Sequence, residues 1–261
     1  MNRYDKEETI ISDFQEFSPK EVLLFPKNFR TISIFNSIHN KRKWRKWINS
    51  SSKKDPPPDF YNKKLKLMMD VMRIDDHAYV DKNGKVVNQH NKRESELVKE
   101  LISKNEYIRL VAEQGNLFIT PDSGLRGYLD HNYDYYINTF KRVICKHIKK
   151  IDNYKKNHPG FKTIFFVLDE SSSYFKCFDK KRPRNPVEKC YGQPHLWWID
   201  KNMVSCLKES KIDYLIWMTP YKYFYSEEKV MLPHIIVIDV KKVDYDILIK
   251  YDSSDIQSTE V

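Results

Sequence analysis

The stretch NYDYYINTFKRVICKHIKKIDNYKKNHPGFKTIFFVLDE, residues 132–170, decides the fold that the sequence predicts. Its first part predicts a helix over residues 132–155, because apolar side chains recur there at helical spacing: Tyr133, Ile137, Phe140, Ile144, Ile148 and Ile151. Asp130 or Asn132 can cap the start of this helix, and Pro159-Gly160 follow its end. The apolar run 163–168 is a strand, so the stretch predicts the helix and strand of an α/β unit.

The same succession of apolar runs and amphipathic segments extends in both directions. Further strands are predicted at 65–74, 117–120, 196–199, 213–218 and 234–240, and further helices at 31–49, 93–103 and 201–210. The strands are continuously apolar, which indicates a sheet that is covered on both faces. We therefore expect an α/β fold with a mixed or mostly parallel sheet of about five strands and helices on both faces.

Proline and charge divide the chain of 261 residues into three parts. Residues 1–58 form a basic N-terminal helical segment that ends in a connection at Pro56-Pro57-Pro58, which stops regular structure. Residues 59–251 form the α/β domain, and residues 252–261 form a polar tail that we expect to be mobile. The chain opens without an apolar leader and has no run of about 18 apolar residues, so we expect a cytoplasmic protein without membrane contact.

The four cysteines give no compact metal-binding pattern. Cys145, Cys177, Cys190 and Cys206 include no C-x-x-C pair, and we expect free thiols in a reducing compartment. Three of them can be combined with His195 into a zinc site only on paper, because the spacing matches no known compact motif.

The chain is strongly basic, with 46 Lys and Arg against 36 Asp and Glu and a formal net charge of +10. Two explanations stay open: a polyanionic partner, which favours nucleic acid, and the lysine-rich composition that an AT-rich genome encodes. The basic run beside Trp44 and Trp47 is the predicted nucleic-acid contact: Lys41, Arg42, Lys43, Arg45 and Lys46. The alternative is a solvated helix face with both tryptophans in the core.

Carboxylates inside or directly after apolar strands are the main chemical signal. Asp70 interrupts LMMDVM, Asp75-Asp76-His77 follow the same strand, and Asp169-Glu170 end the run TIFFVL. A buried carboxylate is costly unless it is paired, hydrogen-bonded or bound to a metal. Asp70, Asp169 and Glu170 are therefore one candidate catalytic centre, which would hold Mg²⁺ through oxygen ligands. The alternative is that such residues cap the helix that follows each strand.

A second candidate centre lies nearer the carboxyl terminus. Asp213 begins the strand DYLIWM, and Asp239-Val240-Lys241 end the strand HIIVIDV. This arrangement resembles the PD-(D/E)XK nuclease superfamily, with Ile212-Asp213 in place of the Pro-Asp pair. The resemblance implies an α/β core and magnesium-dependent phosphodiester hydrolysis, with catalytic roles for Asp213, Asp239 and Lys241. Taking both centres together, we predict Asp70, Asp169 and Asp239 as metal ligands.

Histidines offer a further choice of ligand or base. His77 stands in a loop beside two aspartates and is the best placed, whereas His147 lies on the apolar stripe of the long helix and is expected to be a satisfied core residue. His195 is a third candidate.

We predict a metal-dependent nuclease, or another phosphodiester-cleaving enzyme that acts on nucleic acid. The alternative is a non-catalytic nucleic-acid-binding or protein-interaction protein with an α/β fold. The scarcity of glycine, six residues, disfavours a third class, a small-molecule enzyme on a doubly wound sheet. An enzyme requires at least three of the carboxylates to converge, whereas a binding protein leaves each with its own partner.

Overall fold

A computed structural model describes residues 6–50, 57–113, 122–125, 130–177, 192–222, 232–244 and 248–258. The predicted strand 117–120, Pro56 and Cys190 lie outside these residues. The helices are α1 (Glu7–Glu16), α2 (Phe29–His39), α3 (Lys41–Trp44), α4 (Gln89–Lys104), α5 (Glu106–Glu113), α6 (Tyr133–Phe140), α7 (Lys146–Ile148), α8 (Ile151–Asn157) and α9 (Lys201–Lys208). The strands are β1 (Val22–Phe25), β2 (Ile48–Asn49), β3 (Phe60–Asn62), β4 (Leu67–Ile74), β5 (Ala78–Val80), β6 (Val86–Asn88), β7 (Lys162–Asp169), β8 (Tyr174–Cys177), β9 (Gly192–Pro194), β10 (Tyr214–Met218), β11 (Ile235–Asp239) and β12 (Ile256–Ser258).

The main sheet is mixed and confirms the predicted α/β class. Its strand order is β1-β11-β10-β7-β4-β3-β2. The central strands β4, β7 and β10 are parallel, β11 is antiparallel to β10, and β3 is antiparallel to both β4 and β2. Seven strands exceed the expected five, and the three short strands at 22–25, 48–49 and 60–62 were not predicted.

Apolar side chains on both faces of the central strands explain why helices cover both sides. In β7, Phe165 and Val167 pack with α6, α8 and α9, whereas Ile164, Phe166 and Leu168 pack with α1 and α2. Successive residues of a strand point to opposite faces, so a continuously apolar strand must be buried twice. Helices on both faces are thus confirmed.

The predicted helix over 132–155 is divided in the structure. Asn132 caps its start, with its side chain accepting a hydrogen bond from the Tyr135 amide at 2.8 Å. A π-helical turn, Lys141–Cys145, separates α6 from α7, and α8 begins only at Ile151. Such wide turns re-aim the side chains that follow them. Here the turn precedes His147, which contacts Asp70.

The two ends of the chain join the folded body. Strand β1 pairs in parallel with β11 and β2 pairs with β3, so the segment before residue 58 contributes two strands as well as helices to the α/β fold. Strand β12 pairs with β8, and Ile256 is buried, so the prediction of a mobile tail from 252 is wrong for the residues up to Ser258. Strand pairing, the buried Ile256 and a hydrogen bond between the Ser258 and Ser172 hydroxyls hold this segment on the folded body.

Two further observations concern the cysteines and the apolar length of the helices. Cys145 and Cys206 form a disulfide with Cα atoms 6.0 Å apart, so the expectation of free thiols is wrong for this pair. Helix α9 brings Cys206 against the π-helical turn that carries Cys145, a proximity that no sequence spacing reveals. None of the helices in the described part of the chain is long and apolar enough to cross a membrane.

Candidate functional site

Asp70 faces a second aspartate on the neighbouring strand. In the antiparallel pair of β3 and β4, Phe60 lies opposite Met69, so continuing the register by one residue sets Asp59 opposite Asp70. Side chains directly opposite each other in such a pair lie about 5 Å apart at Cβ. Burial, and then the nearby charge of Asp70, raise the pKa of Asp59 from 3.8 to about 7. Two carboxylates are therefore confined at one point, although the sequence singled out only Asp70.

Helices α7 and α8 complete the surroundings of this pair. Tyr154 donates its hydroxyl hydrogen to Asp70 Oδ2 at 2.9 Å, and His147 Nδ1 contacts the same oxygen. Asp59 Oδ2 accepts a hydrogen bond from the Val71 amide at 2.8 Å. Asp70 is 3% exposed, whereas the side chain of His147 is 23% exposed and links the group to solvent. His147 thus has a partner, as expected, but that partner is a predicted metal ligand.

A cleft of about 550 Å³ opens farther along the same two strands. Its walls carry Tyr61, Lys63 and Lys66 from the β3–β4 hairpin, and Asn157, His158, Pro159 and Phe161 from the end of α8 and the turn after it. Tyr61 lies two residues from Asp59 and therefore on the same face of β3. Cationic side chains beside aromatic rings suit a phosphate backbone and its bases.

The structure does not bring Asp169 and Glu170 to Asp70. Asp70 lies opposite Phe165 and Asp169 lies opposite Ile74, so four residues of strand, about 13 Å, separate the two aspartates. Asp169 Oδ2 accepts bonds from Lys222 Nζ at 2.8 Å, Trp217 Nε1 at 2.9 Å and Tyr136 at 2.7 Å. Glu170 pairs with Arg73 at 2.7 Å. Each carboxylate has its own compensating partners, which a strand-end pattern in the sequence does not reveal.

Asp213, Asp239 and Lys241 meet where β10 begins and β11 ends, as the resemblance requires, with both aspartates largely buried and the lysine exposed. Lys241 Nζ lies 3.4 Å from Asp213 Oδ1, and the lysine side chain is 71% exposed. Asp213 Oδ2 accepts a hydrogen bond from the Thr163 amide, and Asp239 Oδ1 accepts one from the Lys241 amide. Both aspartates therefore act as backbone caps. The predicted ligands Asp70, Asp169 and Asp239 lie at three separate places.

The basic run is a short helix whose tryptophans belong to the core. Trp44 stacks on Trp47 with ring centroids 5.5 Å apart and also contacts Phe60, the residue after Asp59. Trp47 is buried and donates its Nε1 hydrogen to the Ser37 carbonyl. The predicted contacts Lys41, Arg42, Lys43, Arg45 and Lys46 are exposed, and Lys41 pairs with Glu16 at 2.6 Å. The core interpretation of the tryptophans is confirmed, while the nucleic-acid contact stays a prediction.

A second polar group lies beyond the carboxyl end of β4. His77, Asp130 and His131 offer ligand atoms that all lie within 4.8 Å of one another, which among the described residues is the one group of three or more such side chains. His90 Nδ1 lies 2.7 Å from Asp130 Oδ1, and His131 Nδ1 lies 3.1 Å from Asp130 Oδ2. Burial works against the charge of Asp130, but hydrogen bonds from His90 and His131 outweigh it and lower the pKa of this carboxyl. The sequence pointed to His77 and missed His131.

The remaining sequence candidates are structural. His195 Nε2 lies 2.6 Å from Asp200 Oδ2, and Asp200 caps α9 through the Asn202 amide, so His195 is a buried partner of a helix cap. Cys206 is bonded to Cys145. The zinc set that was possible on paper is therefore not assembled.

Comparison of the chain with protein-family models, with curated proteins and with solved structures finds no match in any of the three, so its function has to be argued from this geometry.

Proposed function

We propose that this protein is a magnesium-dependent phosphodiesterase that acts on nucleic acid, with Asp59 and Asp70 as the carboxylates that hold the metal. The observation that carries the proposal is the placement of these two aspartates opposite each other on β3 and β4. Two confined like charges repel each other, and a divalent cation is the ligand that relieves both. Mg²⁺ prefers carboxylate oxygens and is commonly held by one or two of them.

The donor set fits a hard cation. The hydrogen bonds from other residues engage Oδ2 of each carboxylate, with Val71 at Asp59 and with Tyr154 and His147 at Asp70. Without a metal the two carboxyls also hydrogen-bond to each other. These contacts fix both side chains, and we assign the second oxygen of each to the metal. A magnesium ion held there would supply Lewis-acid stabilisation of phosphate charge and a more acidic bound water.

The chain's own residues have defined tasks in this proposal. His147 donates from Nδ1 to Asp70, which leaves Nε2 to accept a proton from the attacking water, as in other carboxylate-oriented imidazoles. Lys63 and Lys66 contact phosphates of the bound strand, and Tyr61 provides a ring on which a base can stack.

The hairpin of β3 and β4 supports the superfamily resemblance at a different place from Asp213 and Asp239. Pro58-Asp59 supplies the Pro-Asp pair, and Asp70-Val71-Met72 supplies the second acid with methionine where the pattern has lysine. Members of that superfamily usually continue with a helix and a strand, whereas β4 is followed by the β5–β6 hairpin, then by α4 to α8 and then by β7. The hairpin and the methionine are both departures from the pattern.

One observation favours the non-catalytic alternative. The carboxylates at 169, 170, 213 and 239 each have their own cation or backbone partner, as a binding protein predicts. Asp59 and Asp70 also have partners, the Val71 amide and the side chains of Tyr154 and His147. They differ from the other carboxylates because they lie beside each other, and the charge of Asp70 helps to raise the pKa of Asp59.

The test is cleavage of labelled DNA and RNA with Mg²⁺ and with EDTA. We expect cleavage with Mg²⁺ alone and a loss of about 100-fold or more in Asp59→Asn and in Asp70→Asn. Asp213→Asn, purified in the same way, is the matched control and should retain activity. Cleavage that survives EDTA, or that both variants retain, contradicts the proposal. Binding without cleavage in the wild type supports the alternative.

A further inference from the structure

The group beyond β4 joins three parts of the chain that are distant in sequence. His77 follows β4, His90 lies in the first turn of α4, and Asp130-His131 directly precede the cap of α6. The rings of His77 and His90 stack with centroids 4.1 Å apart, and both face the same carboxylate. The side chains are between 8% and 22% exposed, so an ion can reach the group although water is largely excluded from it.

The donor atoms lie close enough together to share one ion. Zinc bonds of about 2.1 Å place neighbouring ligand atoms about 3.4 Å apart. One donor atom from each of His77, Asp130 and His131 lies within 4.8 Å of the others, and His131 Nδ1 approaches Asp130 Oδ2 to 3.1 Å. Imidazole nitrogen with one carboxylate is a donor set for zinc-class ions and not for magnesium.

His77 has oxygens at both ring edges. Its Nδ1 lies 3.1 Å from the Asp130 carbonyl oxygen, and its Nε2 lies 3.6 Å from Asp76 Oδ1. A neutral imidazole carries one N–H, and a hydrogen on Nε2 is directed at Asp76 and leaves the lone pair of Nδ1 for a metal ion. Asp76 is fixed in this position because its other oxygen accepts hydrogen bonds from Ser172 and Tyr174. In the absence of a metal, a second proton on the ring takes the same place.

The other side chains of the group are fixed by partners outside it. His131 Nε2 lies 3.1 Å from the Ser258 hydroxyl, which can accept its hydrogen and leave Nδ1 for a metal. His90 holds Asp130 Oδ1 and leaves Oδ2 directed at His131. Metal-binding histidines and carboxylates are typically oriented in this way by hydrogen bonds from neighbouring residues.

We infer that His77, Asp130 and His131 bind one zinc-class metal ion, with His90 as the residue that positions Asp130. The ion ties the end of β4 to the starts of α4 and α6, a structural role that is separate from the proposed catalysis at Asp59 and Asp70. The site uses nitrogen ligands, so it does not compete for the magnesium of the proposed reaction.

The test uses the full chain, stripped with a chelator and titrated with zinc chloride by calorimetry. The Asp70→Asn variant serves as the background, so that the other carboxylate pair does not contribute. We expect one equivalent of zinc per chain, loss of binding in His77→Gln and Asp130→Asn, and affinity lowered about 10–100-fold in His90→Gln. His39→Gln, a half-buried histidine that contacts the Phe17 carbonyl instead, should bind as the background does.

Cobalt gives a second readout, because the visible absorption of bound Co²⁺ reports nitrogen ligands and tetrahedral geometry. Circular dichroism of each variant checks its fold, and the isosteric Asp130→Asn decides the matter if His77→Gln does not fold. Absence of saturable zinc binding, or unchanged affinity in folded Asp130→Asn, overturns the inference. Loss of magnesium-dependent cleavage in Asp70→Asn with zinc binding intact separates the two sites.

Discussion

Asp59 and Asp70 form one aspartate pair on neighbouring antiparallel strands, and Asp213 and Asp239 form another. In the first pair the carboxylates lie opposite each other and share a largely buried space. In the second pair Asp239 lies opposite Tyr214, and each carboxylate accepts a backbone hydrogen bond of its own. The spacing of acids along the chain is therefore a weak guide to a metal site. The nearest charged neighbour distinguishes the two pairs: the charge of Asp70 helps to raise the pKa of Asp59, whereas Lys241 lies beside Asp213.

The largest effect is expected when the proposed general base beside Asp59 and Asp70 is replaced, since Asp213 and Asp239 have no such histidine in the proposal. Replacing His147 by Gln removes the proton acceptor beside Asp70, so kcat should fall about 100–1,000-fold while KM changes little. A loss confined to kcat is expected of a proton acceptor and not of a residue with a purely structural role. His39→Gln is the control, and an unchanged kcat in His147→Gln would contradict the assignment.

Stability measurements should give opposite signs for the two pairs. The pKa of Asp59 is raised to about 7, so the folded state holds a proton that the unfolded state releases above about pH 4. The contribution of Asp59 to stability is thus complete below about pH 4 and is lost as the pH rises to about 7. Without metal at pH 8, Asp59→Asn should stabilise the protein by on the order of 1–2 kcal/mol, or roughly 2–8 °C in Tm.

The second pair supplies the contrast. Asp213→Ala deletes the acceptor of the Thr163 amide and the partner of Lys241, so it should lower stability by about 1 kcal/mol. Adding Mg²⁺ at pH 8 should raise the Tm of the wild type and not that of Asp59→Asn. A fall in Tm in Asp59→Asn at pH 8 would mean that the pair carries no strain for a cation to relieve. Thermal unfolding followed by circular dichroism measures all three chains.

The comparison also shows which parts of the molecule the sequence could reveal. Continuous apolar strands and one amphipathic stretch predicted the α/β class and the helices on both faces, because each signal is local. Asp70 stood out because it interrupts an apolar run. Asp59 did not, since it follows three prolines and directly precedes a strand of only three residues. Its importance depends on a hairpin register, and register is a tertiary property.

The histidine group and the disulfide follow the same rule. His77, Asp130 and His131 come from segments on either side of α4 and α5, so no spacing connects them. Cys145 and Cys206 are 61 residues apart and meet only where α9 packs on the π-helical turn. The sequence shows that Asp169 and Glu170 stand at the end of a strand. It does not show that their partners are Lys222 and Arg73, because these come from other parts of the chain.

The smallest effect distinguishes the cleft from the basic run as the surface that contacts nucleic acid. In the inactive Asp70→Asn background, replacing Lys63 and Lys66 together by Ala should weaken the salt dependence of binding. The slope of the logarithm of the binding constant against the logarithm of the salt concentration should fall in magnitude by about 2, since each phosphate contact contributes about 0.9. Arg42→Ala with Lys43→Ala removes the same charge from α3 and should leave the slope unchanged. Fluorescence anisotropy with a short duplex at several salt concentrations gives both slopes. The reverse result would assign nucleic-acid binding to α3, whose Trp44 packs on Phe60, the residue next to Asp59. The cleft would then have no part in holding the substrate.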